Sequence, residues 1–401
     1  MADISMIEIA QRPRVRIAGG RRESRVFSFV RRLDWVLLAA AFALVGYGLW
    51  VVSGITRFDV PGDEGYFVMR QGIAAVLGLV GLVFAALLPI DLVRRHWRIV
   101  YGVTLALMIL VFLLAETIRG SKRWLDVGPV QFQPSELGKV LFVLAIAGFL
   151  VDRAGRLQRW RTIAHAIGLG IPPILLVFLQ PDLGTALVYS AALFALLFFV
   201  GVRWRKLLAL VVVGVFAILS VLWFLPAAGV EVLKPYQTER LTGLIDSDRD
   251  PGGLNWNRNQ SITAVGSGGL TGRGVLEASQ TRLDYLPEHA TDFAFASLAE
   301  QRGFVGSAIL LLLYLLVVWR GLRVITVAGD LYGAIVAGAL VFALVFQVFV
   351  NVGMTMGVAP VTGIPLPFVT VGGSSLVTSL LLIGVLQGIH ARGLLAGRPP
   401  S

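Results

Sequence analysis

The sequence predicts an all-α polytopic membrane protein of about ten transmembrane helices, with a large extracytoplasmic loop between helices seven and eight. Three observations carry this. Of 401 residues, 56% are hydrophobic and only 15% charged, against roughly 25% charged in a soluble chain. Apolar runs near the ~20 residues needed to cross a hydrocarbon core recur along the chain, separated by charged or Pro/Gly punctuation. Lys and Arg are spread unevenly over alternate connections.

The runs fall near 35 to 53, 69 to 90, 98 to 115, 137 to 151, 163 to 179, 183 to 201, 206 to 225, 303 to 319, 332 to 350 and 373 to 390. They divide the chain into a basic tail (1–33), helices one to seven (34–225), the loop (226–301), helices eight to ten (302–392) and a second tail (393–401). An even number of crossings puts both termini on one side. That side carries 22 of the 35 Lys and Arg but only 7 of the 24 Asp and Glu, so it is expected to be cytoplasmic and the loop external.

The net charge of +11 is then a topology signal and calls for no nucleic-acid partner. Cysteine is absent, which excludes disulfides, thiol nucleophiles and Cys-based metal sites. Of His96, His165, His289 and His390, one falls outside the cytoplasmic half, too few for a histidine-rich metal centre. The arginine-rich tail does not read as a cleavable signal, and no repeat of 20 to 50 residues is visible.

On this topology helices four and six both enter from outside, and both open on Gln-Pro: Gln133-Pro134-Ser135-Glu136 and Gln180-Pro181-Asp182-Leu183. Proline has no N–H to lose in the first turn, and an acid there meets the positive end of the helix dipole. Asp182 therefore has two readings, a helix start or part of an anion-directed site. Lys139 lies one turn below Glu136 on the same face, and an ion pair at that depth is either mutual neutralisation or a functional site. Trp124, Leu125, Val127, Val130 and Phe132 suit an amphipathic segment at the interface, with Lys122 and Arg123 directed at phosphates.

The loop concentrates carboxylates, arginines and a glycine run, Gly266 to Gly274. That run follows no strand and lacks Lys-Ser/Thr, so it is not a nucleotide P-loop. It is either a set of turns or a means of bringing N–H groups to an anion. In Leu286-Pro287-Glu288-His289-Ala290-Thr291-Asp292-Phe293, Asp292 is either a helix cap or a general base whose pKa its phenylalanine neighbours raise. The uncharged, proline-rich connection from Val358 to Phe368 is expected to line a groove open to acyl chains. A carboxylate base, outward cations and such a groove suit sugar transfer from a lipid pyrophosphate.

Taken together, Gly120 to Trp124, Gln133-Pro134-Ser135-Glu136 with Lys139, Gln180-Pro181-Asp182-Leu183-Gly184-Thr185, the glycine run, Thr291-Asp292-Phe293, Asn351-Val352-Gly353-Met354 and Gly363-Ile364-Pro365-Leu366-Pro367-Phe368 through Gly372-Gly373-Ser374 resemble the SEDS family (shape, elongation, division and sporulation). Leu276 to Gln280 and Asn351 to Thr355 look more like its elongation member RodA than its division member FtsW. Thr370-Val371 departs from the usual Ser-Tyr. The resemblance implies an inverting peptidoglycan glycosyltransferase that polymerises lipid II into β-1,4 glycan at the outer face of the bacterial cytoplasmic membrane. It implies Asp292 as the catalytic base and Glu136, Lys139, Arg123, Asp182 and Glu288 as substrate-binding residues. The implied partners are a class B penicillin-binding transpeptidase and other elongation-complex membrane proteins. No organic cofactor is implied. The acidic loop leaves a divalent cation, Mg or Mn, open on the pyrophosphate. A lipid II flippase or a non-catalytic scaffold are the alternative functions. A flippase would call for polar groups through the bilayer, whereas the acids here gather outside.

Overall fold

The computed structural model describes residues 29–115, 123–127, 130–227 and 254–395. The tails' outer parts, residues 116–122 including Lys122, residues 128–129 and all of 228–253 in the predicted loop lie outside them. The elements are α1 (Trp35–Ile55), α2 (Tyr66–Leu87), α3 (Ile90–Arg95), α4 (Trp97–Leu114), the strands β1 (Leu125–Val127) and β2 (Val130–Phe132), then α5 (Pro134–Val151), α6 (Trp160–Leu179), α7 (Leu183–Phe199) and α8 (Trp204–Leu219). After them come α9 (Leu254–Ser267), α10 (Gly274–Glu277), α11 (Ser279–Arg282), α12 (Ala294–Val327), α13 (Leu331–Thr355) and α14 (Gly373–Leu395).

Nine described helices are long and apolar enough to cross a membrane, and the tenth predicted run is the 17-residue α7. Every predicted run thus coincides with an apolar helix. α5 and α14 lie in the middle of the bundle, whereas α8 keeps most of its apolar surface outward, as expected of a helix solvated by lipid. α2 and α14 approach closely because Gly384 and Gly388 face backbone: a Cβ on Gly384 would lie 2.3 Å from the Leu82 carbonyl oxygen. Small residues are what let membrane helices come this near.

Two elements differ from expectation. The segment after Arg123 is not a simple amphipathic stretch but an antiparallel pair with Leu125 opposite Phe132. The eighth span starts at Ala294, inside the range predicted as loop, and runs 34 residues with a break at Gly303, φ 65° and ψ −161°. Hydropathy misses its first turns because Glu300, Gln301 and Arg302 interrupt the apolar run. Glu300 is nevertheless buried, its carboxylate accepting from the backbone N–H groups of Gln280 (2.8 Å) and Thr281 (3.0 Å) and from the Thr281 hydroxyl (2.7 Å).

The glycine run settles into a seam against this break and not into an anion cradle. Arg273 N–H donates to the Glu300 carbonyl, Phe304 N–H to Gly269 and Val305 N–H to Leu270. Gly272 (φ +85°) and Gly303 meet backbone to backbone, with no room for a Cβ on either.

At the end of the bundle where α1 begins, charge is buried and fully engaged. Asp34 caps α1 by accepting from Leu37 N–H, and Arg320 of α12 grips its carboxylate at 2.6 and 2.9 Å. Gln387 of α14 both donates to and accepts from the Asp34 backbone, each at 2.8 Å. A charge removed from water is tolerable only with this kind of complete pairing.

Candidate active site

At the other end of α14, two small cavities adjoin. One, of about 120 Å³, is lined by Arg123, Gln133, Asp182, Thr185, Asp292, Gly363 and Pro365 among others. Its neighbour, of about 150 Å³, is lined by Phe67, Arg70, Gln71, Gln131 and Gly373. Trp124, Thr291, Val371 and Gly372 border both. The pair therefore presents one half-buried carboxylate, Asp292, with a guanidinium in each chamber.

Several elements fix Asp292. Residues 290–292 are zipped to the α13–α14 connection: Val371 N–H donates to the Ala290 carbonyl at 3.0 Å and the Thr370 hydroxyl to the Thr291 carbonyl at 3.0 Å. Thr370 Oγ1 also accepts from Leu366 N–H. Asn351 of α13 splits its amide between the carbonyls of Asp292 (3.0 Å) and Ile364 (2.8 Å). Phe293 and Phe295, two apart in sequence, pack into two separate hydrophobic clusters. Anchoring on both sides leaves the aspartate little freedom, the condition a positioned base requires.

Asp182 is a helix cap that also lines the first chamber. One carboxylate oxygen caps α7 by accepting from Thr185 N–H at 3.0 Å. The other accepts from the Gln133 amide at 3.0 Å and lies 4.0 Å from Arg123 Nη1. Arg123 is further held by donating to the Gln180 carbonyl at 2.9 Å. Glu136 and Lys139 form the expected pair, 2.8 Å apart and buried, but neither lines the two chambers; they lie in the first turns of α5, below Gln133. Glu288 stands behind the site, accepting the Thr291 hydroxyl at 2.8 Å with its own backbone at φ +58°. Of the six predicted site residues, Asp292, Arg123 and Asp182 thus share one wall. Glu136, Lys139 and Glu288 line neither chamber, and of these Glu288 touches the lining residue Thr291.

Sequence reasoning passed over Arg70 and Gln71. A signal was available, since a charge near the start of an apolar run marks function more often than packing. Gln71 is buried, donating to the Thr370 carbonyl and accepting from Gly372 N–H. Arg70 donates to the Tyr66 hydroxyl at 2.7 Å. The α13–α14 connection also differs from expectation: Gly363 and Pro365 line the polar chamber. An apolar groove of about 560 Å³ lies elsewhere, between α9 and α12, lined by Gly266, Gly269, Phe295, Phe304, Leu311 and Met356 among others. Among the described residues no group of three or more His, Asp or Glu side chains could hold a metal ion.

The chain resembles known proteins over most of its length. The sequence matches the cell cycle protein family that groups FtsW, RodA and SpoVE over residues 31–393. It is 37% identical over 357 residues to the peptidoglycan glycosyltransferase MrdB of Escherichia coli strain K12, covering 89% of this chain and 94% of that protein. It is 32% identical to the stage V sporulation protein E of Bacillus subtilis strain 168, covering 89% and 96%. Among solved structures it superposes with a TM-score of 0.76 and 31% identity on a chain of a peptidoglycan synthase complex described as coordinating polymerization and crosslinking, covering 90% of this chain and 98% of that one. On the rod shape determining protein RodA of Thermus thermophilus it does so with a TM-score of 0.64 and 30% identity, covering 89% and 96%. The chain is a member of the FtsW, RodA and SpoVE family.

Proposed function

We propose that the chain is a peptidoglycan glycosyltransferase that joins lipid-linked disaccharides at the outer face of the bacterial cytoplasmic membrane, with Asp292 as general base. The observation that carries this is the placement of a rigidly anchored, half-buried carboxylate on the wall of a chamber that also holds Arg123, next to a second chamber holding Arg70. A transferase acting on two lipid-linked molecules needs two such spaces meeting at one base.

Asp292 takes the proton of the acceptor sugar 4-hydroxyl as its oxygen attacks the anomeric carbon of the donor. The bond to pyrophosphate breaks with inversion, so an α-linked donor gives a β-linked product. The pyrophosphate leaves as an anion and needs no acid, only cations, and Arg123 and Arg70 are the guanidiniums in reach of the two chambers. Asp182 and Gln133 orient Arg123. The Glu136–Lys139 pair acts from behind, holding the first turn of α5 that carries Gln133 into place. A divalent cation would draw most of its ligands from the pyrophosphate, since the described residues offer no complete cage, and no step is assigned to it.

The superposition on a synthase complex supports a membrane-anchored class B transpeptidase as partner. The rod-shape relatives support a place in elongation. The test is glycan polymerisation by the full-length protein in liposomes supplied with lipid II, wild type against Asp292→Asn. Chain growth by the wild type and its loss in the variant are expected. Chain growth by Asp292→Asn would reject the assignment, and movement of labelled lipid across the bilayer without chain growth would favour the flippase reading.

A further inference from the structure

Asp59 lies in the connection between α1 and α2, 230 positions from His289, yet its carboxylate meets His289 Nε2 at 3.0 Å. On the opposite edge of the ring, Nδ1 lies 3.6 Å from the carboxylate of Asp284. The ring itself is 9% exposed. At 3.6 Å Asp284 acts on the ring by charge and not by a hydrogen bond: a protonated ring is attracted by both carboxylates, whereas a neutral one keeps only its hydrogen bond to Asp59. The ring stands in a segment whose backbone needs holding, because Asp284 (φ 55°) and Glu288 (φ 58°) both take left-handed conformations that non-glycine residues rarely adopt. Three residues on is Asp292. The path between is short and tied: the Ser297 hydroxyl donates to the His289 carbonyl, and the next carbonyl, that of Ala290, is held by Val371 N–H.

We propose that His289, as an imidazolium bridging Asp59 and Asp284, positions the segment that carries Asp292, so that glycan polymerisation weakens as the medium turns alkaline. This rests on the function proposed above. His289 is a positioning residue; it lines neither chamber. Asp59 from the α1–α2 connection and Asp284 from its own segment are the charged groups that face it. Burial works against the charged ring, but the hydrogen bond and charge of Asp59, the charge of Asp284 and the Leu286 backbone together outweigh it and leave the pKa above the ordinary histidine value. With the folded pKa raised, the bridge is complete below about pH 6.5 and is lost as pH rises through the higher folded value.

The experiment measures kcat and KM for lipid II between pH 6 and 9.5, using full-length protein in vesicles of phosphatidylethanolamine and phosphatidylglycerol. Wild type should lose kcat in an alkaline step centred above pH 6.5, with KM little changed. Asp59→Asn should move that step down by roughly one pH unit. His289→Gln should abolish the step and hold kcat at the low alkaline level throughout. A purely structural role would lower thermal stability without moving the step. In parallel, ¹⁵N-histidine spectra, with His289 assigned by its absence in His289→Gln, read the ring directly. A step that stays in place in Asp59→Asn, or persists in His289→Gln, overturns the proposal, as does a ring that titrates at or below the ordinary value. A wild type inactive at every pH would instead sink the polymerase reading itself.

Discussion

The two ends of α14 handle charge in opposite ways. Around its last turns, Asp34, Arg320 and Gln387 are buried and every polar group of the aspartate is answered, by a helix cap, a bidentate guanidinium and a paired amide. Around its first turn, Asp182, Arg123 and Asp292 are just as carefully positioned but face two chambers with room for small polar groups. Both ends bring a carboxylate and an arginine near the same helix, so charge content does not separate them. What separates them is that the charged groups at the first turn line two chambers, whereas Asp34, Arg320 and Gln387 line neither. Asp34 is held through its carboxylate, whereas Asp292 is held through its carbonyl and its neighbours.

Substitution should therefore give opposite outcomes at the two ends. The largest effect is expected for Asp292→Asn, which keeps the shape and removes the base. Polymerisation should fall about 10²- to 10⁴-fold, the usual contribution of a general base, with an unchanged melting temperature in detergent. Asp34→Ala should do the reverse. It strands the Arg320 guanidinium in the bundle, and breaking a buried pair costs about 3–5 kcal/mol, so the protein should melt well below wild type while the folded fraction keeps its kcat. If Asp34→Ala lowered kcat at temperatures where the protein stays folded, the two ends would be coupled and the contrast would fail.

Much of this was legible in the sequence because it is local. The spans follow from hydropathy alone, the Asp182 cap from Gln-Pro-Asp before an apolar run, and the Glu136–Lys139 pair from i,i+3 spacing on one helix face. What was not legible depends on packing between distant helices. Arg70 reaches the site only because α2 lies along α14, and the His289 contact with Asp59 joins segments that no periodicity links. The Val358 to Phe368 connection was expected to line a groove open to acyl chains. Its backbone polarity decides otherwise: Asn351 takes the Ile364 carbonyl and the Tyr314 hydroxyl that of Pro367, which draws the segment inward to the polar chamber. Of the two readings of the glycine run, the turns are the one the packing supports, as its close contacts serve α12.

Within the site end, the second chamber can be tested separately from the first. Arg70→Ala removes a cation from the chamber that does not hold Asp292, so it should weaken binding more than chemistry. A charged hydrogen bond contributes about 1.5–3 kcal/mol, which corresponds to a rise of roughly ten- to a hundredfold in KM for lipid II with kcat much less affected. A fall in kcat at constant KM would place Arg70 at the reacting centre and merge the two chambers into one functional unit.

The smallest effect expected is at Thr370. Its hydroxyl donates to the Thr291 carbonyl and accepts from Leu366 N–H, so a single oxygen ties the α13–α14 connection to the residue before Asp292. Serine supplies the same oxygen, and Thr370→Ser should stay near wild type in kcat and stability. Thr370→Val keeps the volume but leaves a carbonyl and an N–H without their partner. At about 1 kcal/mol per lost hydrogen bond, kcat should drop several-fold as the Asp292 segment loosens. Equal activity in the valine and serine variants would mean that Asn351 and Val371 hold the segment without Thr370. The α13–α14 connection would then be tied to residues 290–292 by Val371 and Asn351.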